Sequence, residues 1–304
     1  MKSVVAYLQG GLGNQFFINA AARSLALDVG ARLFLREDRF VGDGYKRHFS
    51  LEGFQFSGDV LIPRTRCVRL FHYRYHSLVR SHPFASIMGT RVEREKRFVP
   101  IRFSSCGRVS LDGYWQSEKY FLHNAETILN DFQLKDDVWL GRDAMARMIR
   151  EVGQSVFLHV RSYKDIPRFS DGSYALPISY YANALKYLQD KIGKGHVFVF
   201  SDDLAWAQSR LLEVAQGTGF DFTFVGSSND ASVQPQLRDF MLMRLCRHGI
   251  VADSSYSWWA GWLGERRALL DKVSVIRIRP AIDRMNADLW PDRWAAIPIS
   301  PEGV

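Results

Sequence analysis

A cluster of hydroxyl side chains follows the apolar run Gly249-Ile-Val-Ala252. The segment reads Asp253-Ser-Ser-Tyr-Ser-Trp-Trp-Ala-Gly-Trp-Leu263, which predicts a strand end followed by the start of a helix. Backbone N–H groups at a helix N-terminus point toward a bound anion. Phosphate of a nucleotide is therefore a candidate ligand, with Tyr256 beside the hydroxyl donors Ser254, Ser255 and Ser257. The alternative is that one serine only caps the helix while the tryptophans fill the core.

Polar residues also mark the ends of other predicted strands, where ligands of open parallel sheets gather. His159-Val-Arg161 ends one strand, and Ser201-Asp-Asp203 follows the next. Arginine suits a diphosphate because its planar charged fork binds oxygens bidentately and stabilises charge on a departing nucleoside diphosphate. Two other interpretations stay open, namely a surface ion pair of Arg161 with Asp165 and a structural imidazole at His159.

Asp202 and Asp203 permit three interpretations. Paired carboxylates bind Mg²⁺ in many nucleotide enzymes, but adjacent residues at a strand end point in opposite directions. One of them could cap the following helix, and one could accept two hydrogen bonds from guanine. The sequence predicts no metal site here or at His72, His76 and His82, where no carboxylate or cysteine completes a ligand set.

The segment Gly10-Gly-Leu-Gly-Asn-Gln15 follows the first predicted strand. Gly11 and Gly13, with Glu37 further on, partly match the fingerprint of NAD-dependent oxidoreductases. Phe16 stands where the third glycine belongs, which weakens that alternative. The glycines still permit close approach of a ligand to the backbone.

Alternation of apolar strands and helices predicts an α/β fold with parallel sheets. A β-α-β beginning over Val4–Leu8, Asn14–Val29 and Arg32–Leu35 is followed by an irregular stretch, a strand at Val109–Tyr114 and a helix at Glu118–Phe132. Regular alternation resumes at Val156–Val160. We therefore expect two α/β domains that face a ligand cleft, an N-terminal one over residues 1–145 and a C-terminal one over residues 146–304.

Composition fits a folded protein of 304 residues, 47% of them hydrophobic, with a net charge of +8. Eleven Arg and Lys against two acids lie between Arg64 and Arg108, which is either a solvated face or a surface for an anionic partner. No nucleic-acid-binding module is recognisable. The three cysteines form no CxxC pair, which predicts free thiols, and no apolar run reaches the length of a membrane span.

Taken together, these motifs resemble those of glycosyltransferase family 11, the α-1,2-fucosyltransferases, and more distantly the α-1,6 and protein-O fucosyltransferases. The resemblance spans nearly the whole chain and also includes Gly113-Tyr-Trp-Gln-Ser-Glu-Lys-Tyr-Phe121. It implies a GT-B-like fold of two Rossmann-like domains, with the donor site mainly in the C-terminal domain and the acceptor held by the N-terminal one. It also implies GDP-fucose as donor and inversion at the fucose carbon without a metal ion or other cofactor.

The resemblance assigns roles to individual residues. Arg161 resembles the arginine that binds the donor β-phosphate, and Asn14 resembles an asparagine that reaches the transferring region, so both are predicted to be catalytic. The predicted donor-binding set is Gly11, Gly13, His159, Arg161, Asp202, Asp203, Ser254, Ser255, Tyr256 and Ser257. No side chain is identified as a general base.

One segment departs from the family pattern His-x-Arg-Arg-Gly-Asp-Tyr, because Ser162-Tyr163-Lys164-Asp165 follow Arg161. Lys164 and Asp165 are candidate substitutes for the missing arginine and aspartate. Asp253 also stands where the family commonly has asparagine.

The predicted activity is transfer of L-fucose to the 2-hydroxyl of a galactose-like acceptor in a surface glycan. The alternatives are another GDP-sugar donor and a nucleotide- or carbohydrate-binding protein with weakened catalysis. Its expected partners are a GDP-sugar and an oligosaccharide or lipid-linked glycan, without nucleic acid. The expected location is the cytoplasm, with peripheral contact of the basic stretch at the anionic inner face of a bacterial membrane.

Overall fold

The computed structural model describes residues 1–40, 47–61, 89–95, 97–103, 107–167, 170–172, 174–227, 233–267, 275–279 and 288–298. The chain forms two compact units. The first contains Met1–Lys135 and Met285–Pro291, and the second contains Asp136–Arg284 and Asp292–Val304. Each unit has its own parallel sheet, as the alternating pattern predicts.

The first sheet has five described strands in the order β3-β2-β1-β5-β4. In chain order they are β1 (Ser3–Tyr7), β2 (Arg32–Arg36), β3 (Asp59–Leu61), β4 (Thr90–Val92) and β5 (Arg108–Asp112). Strands β2 and β3 extend the sheet on one side of β1, and β5 pairs with β1 on its other side. The order of the strands therefore reverses between β1 and β5. The short strands β3 and β4 lie in the stretch that sequence analysis left irregular.

Helix α1 (Leu12–Val29) connects β1 to β2 and is almost entirely buried. Phe16 and Phe17 are fully buried, and the Phe16 ring packs against Phe54 and Phe132 at centroid distances of 4.9 and 4.3 Å. The position that lacks the third glycine of a dinucleotide fingerprint is thus occupied by a core side chain.

The predicted helix over Glu118–Phe132 is wrong in its first half. Two 3-10 turns, Glu118–Tyr120 and Leu122–Asn124, precede a short helix α2 (Ala125–Asp131). Phe121 separates the turns with φ −141° and is fully buried, with its ring 6.3 Å from that of Phe17. The chain leaves the helical conformation at this residue and places its side chain in the core.

The second sheet has six described strands in the order β11-β10-β9-β6-β7-β8, all parallel. They are β6 (Ser155–Val160), β7 (His196–Ser201), β8 (Asp221–Phe224), β9 (His248–Ile250), β10 (Val275–Arg279) and β11 (Ala295–Pro298). The described helices of this unit are α3 (Val138–Arg142), α4 (Ala144–Glu151), α5 (Ile178–Ile192), α6 (Leu204–Gln216), α7 (Pro235–Leu245) and α8 (Ser255–Arg267). Strand order reverses between β6 and β9, the position where doubly wound sheets bind ligands.

The Phe157 ring of β6 lies over Gly249 of β9, its partner in the register, which has no side chain. A Cβ at Gly249 would lie 2.3 Å from the Phe157 ring. Phe157 is itself 2% exposed, so its ring has little freedom to move away. Any side chain at position 249 would therefore have to displace the Phe157 ring.

The boundary between the units falls between Lys135 and Asp136. A boundary at 145/146 would divide α4. Asp143 caps α4 by accepting from Met145 N and Ala146 N, and it also pairs with Arg238 of α7 at 2.6 Å. These contacts attach the segment from α3 onward to the second unit.

Several sequence expectations concern residues outside the described ranges. Most of the basic stretch from Arg64 to Arg108 is among them, as are Cys67, Cys106 and the three histidines His72, His76 and His82. Cys246 is described and is a buried free thiol, and burial raises its pKa. Along the described chain, no helix is both long and apolar enough to cross a membrane.

A buried ion pair joins the ends of two strands of the first sheet. Arg39, after β2, donates to Asp112 at the end of β5 over 2.7 Å, and their side chains are 9% and 0% exposed. The Arg36–Asp38 pair lies close by in sequence, at 2.6 Å and with side chains 13% and 2% exposed. The carboxyl edge of this sheet is therefore held by paired charges inside the unit.

We expect Asp112→Asn to lower the free energy of unfolding by about 3–5 kcal/mol, because it removes a negative charge that pairs with the buried Arg39 guanidinium. Asp59→Asn is the matched control, since Asp59 pairs with Arg32 at exposures of 49% and 56%. The control should lose less than about 1 kcal/mol. Urea titrations of both variants measure the difference, and equal losses would contradict this assignment.

Candidate functional site

Three adjacent strands end at the same edge of the second sheet. Register pairs Val160 of β6 with Ser201 of β7, and Leu158 of β6 with Ile250 of β9. Continuing this register by one residue beyond β6 and β7 brings Arg161 level with Asp202. Three residues beyond Leu158 and Ile250 lie Arg161 and Asp253, so the segments after β6, β7 and β9 share this edge.

Arg161 is held by two carboxylates. Its guanidinium donates to Asp202 Oδ2 over 2.5 Å and to Asp165 Oδ1 over 2.6 Å. The Arg161 side chain is 17% exposed, and those of Asp202 and Asp165 are 19% and 45% exposed. The surface ion pair with Asp165 that the sequence left open is present, and a second carboxylate shares the same arginine.

Asp202 also fixes the backbone after β6. Its Oδ1 accepts from Ser162 N over 2.7 Å, and its Oδ2 accepts from Ser162 Oγ over 2.9 Å. One carboxylate thus receives hydrogen bonds from a guanidinium, a hydroxyl and a backbone N–H. Such charge-assisted contacts are the strong ones, and here they set the position of Arg161 relative to the strand end.

Asp203 has a different set of partners. Its Oδ1 caps α6 by accepting from Trp206 N over 3.0 Å, and its Oδ2 accepts from Lys164 Nζ over 2.9 Å. The hydrogen bond from Lys164, followed by that from Trp206 N, lowers the pKa of Asp203. The Lys164 ammonium also lies 5.2 Å from the centre of the Trp206 ring. The helix-cap interpretation is confirmed for Asp203.

Tyr163 links the segment after β6 to the segment after β9. Its hydroxyl donates to the backbone carbonyl of Asp253, and the Arg161 guanidinium lies 5.1 Å from the centre of its ring. Tyr163 has φ +60°, which is uncommon for a residue with a side chain. Burial and the nearby Asp253 raise the pKa of this phenol, so it stays protonated as a donor.

The serines at the start of α8 mainly organise their own turn. Ser254 Oγ accepts from Tyr256 N over 3.3 Å, which is the helix-cap contact that the sequence left open. Ser257 is fully buried, and its Oγ accepts from Ala252 N over 3.2 Å and donates to Ser254 O over 3.4 Å. Ser255 is the first residue of the helix and is partly exposed.

The aromatic residues of α8 lie in the core. Trp258, Trp259 and Trp262 are fully buried and contact one another. The Tyr256 hydroxyl donates to Gln236 O, and its ring lies 5.7 Å from that of His159. The structural interpretation therefore holds for the tryptophans.

His159 lies inside β6 and is 5% exposed. Burial lowers the pKa of His159 to about 4, with Asp202 opposing and Arg161 reinforcing that shift. Its Nδ1 has no hydrogen-bond partner among the described residues, and its backbone carbonyl accepts from Tyr181 OH over 3.3 Å. The imidazole is thus a neutral group packed behind Arg161.

The remaining predicted residues belong to the first unit. Gly11 is the N-cap of α1, Gly13 is buried in its first turn, and Asn14 is half-buried there. Asn14 Oδ1 accepts from Gln116 Nε2 over 2.9 Å. Within the residues that the structure describes, no group of three or more His, Cys, Asp or Glu could hold a metal ion.

Comparison with known proteins identifies the family to which this chain belongs. A sequence model described as Glycosyl transferase family 11 matches residues 98–294, more than half of the chain. The chain belongs to glycosyl transferase family 11. It is therefore a glycosyltransferase, and the alternative of an NAD-dependent oxidoreductase is wrong.

Curated relatives of this family 11 glycosyltransferase share about a quarter of its residues. It is 28% identical to an alpha-1,2-colitosyltransferase of Escherichia coli, over 98% of this chain and 99% of the relative. It is also 28% identical to the O-antigen biosynthesis glycosyltransferase WbnK of E. coli, over 94% and 98%. A galactoside alpha-(1,2)-fucosyltransferase 2 of Oryctolagus cuniculus is 26% identical, over 57% of this chain and 47% of the relative.

Solved structures confirm the GT-B fold class. The NodZ alpha-1,6-fucosyltransferase soaked with GDP-fucose superposes with a TM-score of 0.53 at 16% identity, covering 86% of this chain and 92% of that one. Arabidopsis thaliana FUT1 in complex with GDP gives 0.51 at 15% identity, covering 92% and 71%.

Sequence reasoning missed several residues around Arg161 in this glycosyltransferase. Ser162 and Tyr163 were noted only as departures from the family pattern, yet both connect to neighbouring strand ends. Trp206 was not considered, although it lies beneath Lys164 and also beneath Arg210 at 5.5 Å. A hydroxyl directly after the strand-end arginine was the available signal for Ser162, since serine commonly bonds nearby backbone and carboxylate groups.

Stability of this family 11 enzyme should depend on pH through His159. Its pKa is near 6.5 in the unfolded chain and about 4 in the fold, so between these values only the unfolded state binds the proton. The stability that the neutral His159 contributes to the fold is complete above pH 6.5 and is lost as pH falls toward 4. Between pH 7.5 and 5 the wild type should lose about 2 kcal/mol more than His159→Gln.

Urea unfolding at the two pH values measures this loss. Tyr181→Phe is the control, because it removes the hydrogen bond to the His159 backbone carbonyl but keeps the imidazole, and it should retain the wild-type pH dependence. An unchanged pH dependence in His159→Gln would show that the buried imidazole is not the source of acid sensitivity.

Proposed function

We propose that this enzyme transfers a 6-deoxy sugar of the L-fucose type from a GDP-sugar to the 2-hydroxyl of a galactose-like acceptor, with inversion and without a metal ion. The observation that carries the proposal is Arg161, a partly exposed guanidinium at the end of the buried strand β6, where strand order reverses. Its neighbours are Asp202 and the start of α8. A permanently charged fork at a switch point suits the diphosphate of a nucleotide.

In the proposed reaction, the acceptor oxygen bonds to C1 of the sugar while the bond from C1 to the β-phosphate oxygen breaks. GDP leaves with both electrons of that bond, and the acceptor hydroxyl loses its proton to water or to a base not yet assigned. Arg161 stabilises the negative charge that develops on the phosphate, which is a charge-stabilising role for a preorganised cation. The hydroxyl of Ser255 and the N-terminus of α8 would contribute further donors.

The contacts of the two aspartates favour a positioning role over base recognition. Asp202 holds Arg161 and Ser162, and Asp203 holds Lys164 and the start of α6. Guanine recognition by either carboxylate would require exchange of these partners. Lys164 and Asp165 do carry charges of the two missing family residues, and we propose that they tune the Arg161 environment.

A specific observation favours GDP-colitose as a second candidate donor. The alpha-1,2-colitosyltransferase relative aligns with nearly the whole chain, whereas the fucosyltransferase of O. cuniculus aligns with 57% of it. Colitose differs from L-fucose by the absence of one hydroxyl group. Competition between GDP-fucose and GDP-colitose for the same enzyme distinguishes the two donors.

Two further parts of the proposal concern the acceptor and the location of the enzyme. A surface glycan as acceptor is supported by the O-antigen relative. A cytoplasmic location with contact between the basic stretch and an anionic membrane remains a prediction, because most of that stretch lies outside the described residues.

Calorimetric titration of GDP and of both GDP-sugars tests the donor site. Arg161→Ala should weaken GDP binding about tenfold or more, since a charge-assisted hydrogen bond contributes about 1.5–3 kcal/mol. The GDP affinity of Arg161→Lys should fall between those of the wild type and Arg161→Ala, because lysine keeps the charge without the bidentate fork. EDTA should leave each affinity unchanged.

Arg150→Ala is the matched control for Arg161, because it removes an arginine of the second unit that precedes the amino end of β6. Its GDP affinity should stay within about twofold of wild type. Wild-type affinity in Arg161→Ala would refute the diphosphate assignment.

Two neutralised carboxylates should change GDP affinity in opposite directions. Asp165→Asn should tighten binding severalfold, because this half-exposed carboxylate competes with the diphosphate for Arg161. Asp202→Asn should weaken binding, because it also releases the Ser162 backbone and hydroxyl. Calorimetry on both variants decides the matter, and weaker binding in Asp165→Asn would mean that Asp165 itself contacts the donor.

A further inference from the structure

The first sheet also has a position where strand order reverses, and polar side chains meet there. The reversal lies between β1 and β5, and the segments that follow these strands contain Asn14 and Gln116. These two residues are 102 apart in sequence, yet their amides are joined by a hydrogen bond of 2.9 Å. The carboxyl ends of parallel strands at such a reversal are where ligands of doubly wound sheets bind.

The turn that carries Asn14 is held firmly by its neighbour Gln15. This fully buried amide donates to Gly10 O over 3.0 Å and to His48 O over 2.8 Å, and it accepts from Ser50 N over 2.9 Å. Gln15 therefore connects the glycine-rich turn to the segment around residues 48–50. Asn14, in contrast, is half-buried and faces Gln116.

The turn that carries Gln116 is held by Glu93. Glu93 Oε2 accepts from Tyr114 N over 2.7 Å and from Trp115 N over 3.0 Å. Position 113 must be glycine for this contact, since a Cβ there would lie 2.3 Å from Glu93 Cβ. Trp115 is buried with φ +54°, a strained conformation for a residue with a side chain. Tyr114, two residues before Gln116 in this turn, is 40% exposed.

The amide pair retains one donor group and one acceptor. Gln116 Nε2 donates to Asn14 Oδ1, so Asn14 Nδ2 and Gln116 Oε1 remain. Neither atom has a hydrogen-bond partner among the residues that the structure describes. The same holds if both amides are flipped, because one NH₂ and one C=O are left either way. A hydroxyl group, which donates and accepts, matches such a pair.

We infer that Asn14, Gln116 and Tyr114 form a subsite for an uncharged sugar ring of the acceptor. The amide pair binds one sugar hydroxyl, and the exposed phenol ring packs against the apolar face of the same sugar. Ligand sites commonly combine an aromatic surface with a few fixed polar groups. The three side chains are neutral, which suits a glycan better than a diphosphate. This inference rests on the proposed function, because it names where that reaction takes its acceptor.

The test compares acceptor use with donor binding in the full-length enzyme. The probes are methyl β-galactoside as acceptor and the GDP-sugar that supports turnover. Tyr114→Ala and Gln116→Ala should each raise the acceptor KM about tenfold, whereas the GDP dissociation constant and the slow hydrolysis of the donor without acceptor stay within about twofold. Tyr114→Phe should retain the wild-type KM, because the ring is kept.

Leu122→Ala is the matched control, because Leu122 is a 43% exposed apolar residue of the same unit outside the subsite. This variant should leave the acceptor KM, the GDP dissociation constant and the rate of donor hydrolysis unchanged. Saturation-transfer NMR with methyl β-galactoside on the GDP-bound enzyme provides a readout independent of turnover, and its signal should be lost in Gln116→Ala and kept in Leu122→Ala.

Other results would overturn the inference. An unchanged acceptor KM in both alanine variants would do so, as would loss of GDP binding or of donor hydrolysis, which would place the subsite on the donor side. A wild-type enzyme that binds no GDP-sugar would instead refute the proposed function itself, and the inference with it.

Discussion

The arrangement of the second unit depends on the parallel pairing of the buried strand β6 with its two neighbours. All six of its residues are buried, and it pairs in parallel with β7 on one side and β9 on the other. Parallel pairing brings three chain segments to one edge, where Asp202 can accept from both Arg161 and the Ser162 backbone. The first unit uses the same geometry, since β1 lies between β2 and β5. In each unit, a central strand brings residues that are distant in sequence into contact.

Two cations after β6, Arg161 and Lys164, are already paired with three carboxylates. Arg161 is paired with Asp202 and Asp165, and Lys164 is paired with Asp203. In the proposed donor complex, a diphosphate would therefore replace one anionic partner of Arg161 and would not meet an isolated cation. In that complex the half-exposed Asp165 would be easier to displace than Asp202, which accepts from Arg161, Ser162 and Ser201. Asp202 is also the less accessible of these two partners of Arg161.

Strand and helix identity followed from the sequence wherever apolar runs were long, as at β6, β7 and α1. The short strands β3 and β4 were missed, because three residues give too little periodicity to detect. The helix over Glu118–Phe132 failed at Phe121, whose burial depends on α1. Strand ends indicated that Arg161 and Asp202 would lie at one edge of the second sheet, but not that they would pair with each other. The Asn14–Gln116 bond joins residues about a hundred positions apart, and only the strand order brings them together.

The close approach of Gly249 to Phe157 has a consequence for the evolution of the family. The packing at this pair is kept if one position stays large and the other stays small, or if both change in compensating directions. A side chain gained at position 249 would have to be preceded or accompanied by a smaller residue at 157. These two positions are therefore expected to covary among related sequences, because they share one volume at the strand reversal that precedes Arg161.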